Sequence, residues 1–224
     1  TCRPISNSTL DHAFFMESIT DGICGICQYS NDNVPYQPFN IATMCSMLTQ
    51  DTNNPLQMYA NVVAAINTFN GAKCTPSHYN AYISELSLTD TANTAGRCWT
   101  WQTCTEYGYF QTGELPNQPF SSLISLDFFR SICSDTFGSQ YEIPNTQWTN
   151  TYFGGIELSG SFIILPNGNV DPWHNLGVAD PRNNLETAIF MTDTAHCADL
   201  YPASPSDPID LTETRNREVS YLAS

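Results

Sequence analysis

The sequence predicts an α/β protein with a helical first part and a parallel β-sheet in its second part. From about residue 8 to residue 90, apolar side chains recur at helical spacing, and two short apolar runs follow later in the chain. Uniformly apolar runs of about five residues are typical of strands buried on both faces of a parallel sheet. We therefore place a helical domain over residues 1–95 and the sheet-containing domain over residues 96–224.

The first part of the chain is predicted to contain four helices. In the segment Phe39–Gln50, apolar residues fall at positions i, i+3, i+4 and i+7. The best-bounded helix begins at Pro55, with Asn54 as its N-cap and Gly71 just beyond its end. Two further helices are indicated by their apolar residues, namely Leu10, Phe14, Phe15, Tyr79, Tyr82, Ile83 and Leu86.

The second part contains two predicted strands, each of which ends in polar residues. The first is Ser161–Leu165, and the second is Thr187–Thr192. A last helix is predicted after Asp207 and Pro208, because a capping residue followed by proline is typical of a helix start.

The charge balance excludes several classes of partner. The 224 residues carry 22 acidic and 7 basic side chains, which gives a formal net charge of −15. Nucleic acids and anionic membranes both require clustered Lys and Arg, so neither is an expected partner. No apolar run approaches the roughly 18 residues of a membrane span, and nothing in the sequence implies a cofactor.

The cysteines predict an oxidising compartment. Nine cysteines in a chain of this size favour a secreted, luminal or lysosomal protein, and the sequon at Asn7 is a candidate glycosylation site. An odd number cannot pair internally, so at least one cysteine is free or bonded to another polypeptide. The first residue is not Met, which suggests a processed or excised piece. Cys24 and Cys27 form a lone CxxC pair, which favours a structural disulfide over a redox or zinc site.

Asp171 and His196 form the strongest candidate for chemistry. Each follows a predicted strand, and functional residues of open α/β sheets gather at the carboxyl ends of strands. The acid precedes the histidine, as it does in a hydrolase triad that runs Ser, acid, His along the chain. An alternative interpretation makes Asp171 a turn cap before Pro172 and His196 an ordinary loop residue.

Three segments resemble the signature segments of the prolyl-carboxypeptidase family of serine peptidases, which includes dipeptidyl peptidase II. They are Arg97–Gly108, Asn167–His174 and Thr194–Pro202. Tyr152–Gly155, together with the Asp-Pro-Trp-His tetrapeptide, resembles the thymus-specific branch in particular. The resemblance covers the chain from about Phe14 to its end. It implies the C-terminal part of an α/β-hydrolase fold, with the helices forming an inserted domain.

The resemblance also implies roles for individual residues. Asp171 matches the triad acid and His196 the triad base. Trp173 would help to wall a pocket that accepts proline, although simple core packing is an equal alternative. Trp101 and Glu106 are candidate substrate-binding residues, and for Glu106 a structural ion pair or cap is an alternative.

The chain departs from the family in lacking the serine nucleophile. No Gly-x-Ser-x-Gly pentapeptide occurs in the sequence. The serine is therefore expected on an N-terminal portion of the same protein that these residues do not include. We expect Cys104 to form a disulfide with that portion, which would leave Cys98 and Cys133 to pair with each other.

The sequence therefore predicts part of a secreted or lysosomal serine exopeptidase that cleaves peptides next to proline. The alternative is a catalytically silent protein of the same fold with a structural or binding role. Homo-oligomerisation is left open by the sequence.

Overall fold

The computed structural model describes residues 1–30, 39–90, 94–181 and 183–223. The α-helices are Thr9–Gln28 (α1), Ile41–Leu48 (α2), Pro55–Phe69 (α3), Tyr79–Leu86 (α4), Thr94–Gln102 (α5), Leu126–Phe137 (α6), Thr146–Phe153 (α7) and Ile209–Leu222 (α8). The strands are Ile163–Gly168 (β1) and Glu186–Met191 (β2). Among these residues, no helix combines the length and the apolar character that crossing a membrane requires.

Four helices lie where the apolar spacing predicts them. The Asn40 side chain caps α2 by accepting a hydrogen bond from the Thr43 N–H at 2.8 Å. The third helix begins at Pro55, as predicted, because proline fits the first helical turn. The helix near the start of the chain is α1, which extends over 20 residues.

Helices also occur beyond residue 95, where short apolar runs favoured strands. The segment before β1 contains α5, α6 and α7. In α6 the buried residues are Phe128, Ile132 and Cys133, which lie on one face of the helix. The Ser125 side chain caps this helix by accepting a hydrogen bond from the Phe128 N–H at 3.1 Å.

The two predicted strands are present and form a parallel pair. Ile163 pairs with Glu186, and the register continues to Gly168 opposite Met191. The first strand begins two residues later than predicted, because Phe162 has a φ of 57° and leaves the extended conformation. Ile189, Met191 and Leu211 are buried together, so α8 covers one face of the pair.

The chain forms two compact units. Unit 1 contains Thr1–Asp21 and Asn67–Phe153, and unit 2 contains Gly22–Ile66 and Gly154–Ser224. These ranges do not coincide with a division after residue 95. The assignment of residues 1–95 to an inserted helical domain and of 96–224 to the hydrolase domain stays a prediction.

Unit 1 has an apolar core in which helices from both of its segments meet. The core residues are Ala13, Phe14, Tyr79, Leu86, Phe128 and Ile132. Tyr79 is 2% exposed, and its hydroxyl donates a hydrogen bond to Asp135 at 2.9 Å. Because this donor is paired, the hydrogen bond offsets the cost of burying the hydroxyl group.

The disulfides correct two of the predicted cysteine pairings. Cys104 is bonded to Cys133, so the predicted disulfide from Cys104 to a missing portion is wrong. Cys98 is exposed and forms no disulfide among the described residues, so it does not pair with Cys133. The physical reason is local packing: α6 brings Cys133 to a Cα–Cα distance of 5.4 Å from Cys104, within the range of a disulfide. A second bond joins Cys2 and Cys74.

Glu17 is the most strongly perturbed carboxyl group in unit 1. Burial, and then the charge of Asp21 four residues further along α1, raise the pKa of Glu17 to about 8. Burial also raises the pKa of Asp21. Tyr82 packs on the core of this unit, and its burial, followed by the nearby charges of Glu17, Asp21 and Glu85, raises its pKa.

We expect the stability of the chain to fall as the pH rises from about 5 to about 8. The ordinary pKa of Glu17 is 4.5, so in this range the folded chain keeps a proton that the unfolded chain releases. The loss should be on the order of 2–4 kcal/mol, measured by urea unfolding at each pH. Glu17→Gln should flatten this dependence, whereas Glu142→Gln, at an exposed position, should not. Equal slopes for wild type and Glu17→Gln would contradict the assignment.

Candidate functional site

Asp171 and His196 lie on two loops that leave the same end of the strand pair. Asp171 is three residues beyond β1, and His196 is five residues beyond β2. The loops are joined by a hydrogen bond from the Val170 N–H to the Thr194 carbonyl at 3.1 Å. The parallel register therefore carries both side chains to one place.

Gly168 permits this close approach of the loops. A Cβ atom at this position would lie 2.2 Å from the backbone oxygen of Thr194. Backbone atoms cannot yield as a flexible side chain would, so a larger residue here would push the two loops apart. The close contact between the two loops thus requires glycine at position 168, at the end of β1.

The Asp171 carboxylate holds His196. The His196 Nδ1–H donates to Asp171 Oδ2 at 2.8 Å. The other oxygen, Oδ1, accepts the Trp173 backbone N–H at 2.9 Å. Since an ionised carboxylate can only accept, the bond places the histidine proton on Nδ1 and leaves a lone pair on Nε2.

His174 does not compete for the carboxylate. Its Nδ1 lies 2.5 Å from the backbone oxygen of Asp171, not from the side chain. Its ring also packs edge to face on Phe190, with ring centroids 5.4 Å apart. The histidine nearer in sequence is therefore bound elsewhere.

His196 is half-buried between aromatic rings. The Tyr29 ring meets it edge to face, with centroids 5.8 Å apart, and the Trp173 ring centroid lies 6.3 Å away. The backbone N–H of His196 donates to the Gln28 carbonyl at 3.0 Å. The Trp173 indole N–H donates to the Gln28 side chain at 2.9 Å.

Gln28 and Tyr29 are contacts of the site that the sequence analysis does not identify. They stand at the end of α1 and just after it, 142 or more residues before Asp171. Their spacing in the chain carries no signal of this contact, because a tertiary interaction creates it. A well-defined helix end at Gln28 would have been the only local indication.

Arg215 fastens the turn that follows His196 to α8. Its Nε donates to the Asp199 carbonyl at 3.1 Å, and its Nη2 donates to the Ala198 carbonyl at 2.5 Å. Its Nη1 pairs with the carboxylate of Asp207, whose side chain is 1% exposed. The guanidinium therefore satisfies a buried charge and two backbone oxygens at once.

Glu106 and Trp101 come together in unit 1, whereas Asp171, His196 and Trp173 come together in unit 2. The two unit 1 residues line a cleft of about 430 Å³, together with Thr89, Arg97, Cys98, Gln102 and Phe137. The Arg97 guanidinium lies over the Phe137 ring at 4.8 Å and donates to the Leu86 carbonyl.

Asn7, the predicted glycosylation site, is exposed.

The fold and the site define a class of protein. Helices, a parallel strand pair and an Asp–His pair beyond its carboxyl ends are compatible with part of an α/β hydrolase. The chain belongs to the serine carboxypeptidase S28 family, whose model matches residues 1–218.

Individual relatives agree with this family. A Caenorhabditis elegans protein named as a serine protease is 31% identical over 230 residues, which cover 96% of this chain and 45% of that protein. The thymus-specific serine protease of Mus musculus is 28% identical, with 93% of this chain and 42% of the relative covered. The lysosomal Pro-X carboxypeptidase of Homo sapiens is 24% identical, with 99% and 44% covered. The chain spans less than half the length of these relatives.

Removal of the Arg215 charge should destabilise the chain by about 3 kcal/mol, because the buried Asp207 carboxylate would lose its cationic partner. The variant is Arg215→Met, and the measurement is urea unfolding monitored by tryptophan fluorescence. Arg217→Met, at an exposed position on the same helix, is the matched control. Equal unfolding midpoints for the two variants would show that the contacts of Arg215 contribute nothing to the free energy of unfolding.

Proposed function

We propose that the chain is part of a serine peptidase in which His196 is the general base and Asp171 orients it. The observation that carries the proposal is the 2.8 Å hydrogen bond from His196 Nδ1 to Asp171 Oδ2. Membership of the serine carboxypeptidase family supports it independently. The carboxylate fixes the tautomer in which Nε2 can accept a proton, and it stabilises the imidazolium that forms.

The nucleophile is proposed to come from a part of the protein outside these 224 residues. The sequence contains no Gly-x-Ser-x-Gly pentapeptide, and the relatives are more than twice as long as the matched region. In the acylation step, the serine oxygen attacks the substrate carbonyl and passes its proton to His196 Nε2. His196 then gives that proton to the leaving amine, and water hydrolyses the acyl-enzyme with His196 again as base.

The proposed substrates are peptides with proline next to the cleaved bond. Trp173 supports this, because its half-buried indole lies beside His196, where an apolar ring can stack on it. The name of one relative, Pro-X carboxypeptidase, points to the same residue type. Restriction to peptide ends would follow if residues 1–95 act as an inserted helical domain.

The unit 1 cleft is a proposed contact surface for the same peptides. Glu106 offers a carboxylate and Trp101 an apolar face, and the cleft is large enough for one or two residues of a peptide. A cationic group of the substrate is the chemistry that Glu106 would recognise.

The proposed location is a secreted or lysosomal lumen. The two disulfides require an oxidising environment during folding, and an exposed sequon at Asn7 is compatible with glycosylation. The protonated Glu17 side chain favours an acidic compartment, because its burial costs least when the carboxyl group is neutral.

Replacement of His196 by Gln should lower kcat at least 10³-fold in the full-length protein, with little change in stability. A fluorophosphonate probe should label the wild type on a serine outside these 224 residues, and labelling of the variant should be correspondingly slow. His12→Gln, which alters an exposed histidine of unit 1, is the control. An unlabelled wild-type protein would favour a catalytically silent scaffold instead.

Replacement of Glu106 by Gln should raise KM about 3- to 10-fold for substrates with a cationic group, with kcat nearly constant, because a charge-assisted contact is lost. Steady-state kinetics on charged and neutral peptide substrates measures the effect. Glu213→Gln, at an exposed position on α8, is the control. An equal effect on both kinds of substrate would assign Glu106 a structural role.

A further inference from the structure

Gln28 binds both loops of the candidate site. Its backbone carbonyl accepts the N–H of His196 at 3.0 Å, and its side-chain oxygen accepts the indole N–H of Trp173 at 2.9 Å. One residue of α1 therefore contacts the histidine loop through its backbone and the aspartate loop through its side chain. Asp171 also bonds to both His196 and Trp173, but it accepts the backbone N–H of Trp173, whereas Gln28 accepts the indole N–H.

The end of α1 provides a fixed support for these two bonds. Gln28 is the last residue of the helix, so its carbonyl has no partner within the helix, and the His196 N–H supplies one. The chain beyond Gln28 is also held, because the backbone N–H of Tyr29 donates to the Gly25 carbonyl at 3.1 Å. Ser30 is buried, and its hydroxyl accepts the Ile41 N–H at 3.1 Å. The residues before and after Gln28 are thus anchored.

We propose that Gln28 is a positioning residue that sets the orientation of the Trp173 indole relative to His196. The proposal rests on the proposed function, in which Trp173 contacts the substrate beside the base. The backbone of Asp171 and Pro172 fixes where Trp173 begins, but the ring can still turn about its side-chain torsions. The hydrogen bond to Gln28 selects one ring orientation, so this glutamine tunes substrate binding without touching the substrate.

The role makes a specific demand on the chemistry of position 28. The backbone bond to His196 survives any substitution that preserves the helix, whereas the bond to Trp173 requires an acceptor at the tip of the side chain. Glu keeps an acceptor of the same length and Met removes it, and all three residues have similar helix propensities. If the side chain had only a structural role, the Gln28→Glu and Gln28→Met variants would have similar kinetics.

The test uses the full-length protein with Gln28→Met, Gln28→Glu, Trp173→Phe and the double variant Gln28→Met with Trp173→Phe. Gln57→Met, on the exposed side of α3, is the control for the substitution itself. Steady-state kinetics on a peptide with proline at the cleaved bond gives KM and kcat. The indole N–H resonance of Trp173, assigned by its loss in Trp173→Phe, reports on the hydrogen bond regardless of activity.

Gln28→Met should raise KM about 3- to 10-fold with kcat changed less than about 2-fold, which is the effect of one lost hydrogen bond. The indole resonance should shift in this variant, and Gln28→Glu should restore both values. In the Trp173→Phe background, Gln28→Met should have almost no further effect, because the bond is already absent.

Two results would overturn the proposal in distinguishable ways. An unchanged resonance and an unchanged KM in Gln28→Met, with His196→Gln inactive, would reject the positioning role and leave the proposed function intact. If Gln28→Met shifts the resonance but the His196→Gln variant stays active, the proposed function is rejected. The role of Gln28 in substrate binding is then rejected with it.

Discussion

The parallel pairing of β1 with β2 creates the Asp171–His196 pair. Two residues that are 25 positions apart in sequence come within hydrogen-bond distance because their strands run in the same direction and end together. The approach is then completed by the loops, where Gly168 leaves room for the Thr194 carbonyl. A shift of one residue in the register would turn the side chains of the shifted strand to the opposite face and separate the pair.

Support for the pair comes from groups that are not themselves reactive. Asp171 uses one oxygen for His196 and the other for a backbone N–H, so its carboxylate has a single favoured orientation. Arg215 fixes the turn after the histidine, and the end of α1 holds the histidine backbone. The contrast with Glu17 is informative, since partial burial and the nearby charge of Asp21 favour the neutral form of that carboxyl group.

Local sequence signals predicted the elements that depend on local chemistry. The strands around residues 163 and 186 were found from apolar runs, and α3 and α8 from proline near their first turns. The helices between residues 94 and 153 were missed, because they are short and rich in polar or aromatic residues. The Asp171–His196 contact was predicted from strand order and from family resemblance.

Contacts between distant segments could not be predicted in the same way. Nine cysteines allow many pairings, and the observed Cys104–Cys133 bond depends on how α6 packs. The spacing of the cysteines in the sequence does not predict that packing. The hydrogen bonds of Gln28 to the two loops depend likewise on where α1 ends and on how that end meets them. Both interactions follow from packing, and local pattern carries no information about packing.

The division into two units has a consequence for how the chain acquires its structure. The polypeptide passes from one unit to the other at residues 21/22, 66/67 and 153/154, so neither unit is a continuous stretch of sequence. During synthesis, the segment from residue 22 to residue 66 emerges long before the strands that complete its unit. Folding must therefore close long loops, which is intrinsically slow, and the early segments would stay exposed to chaperones until the last strand leaves the ribosome.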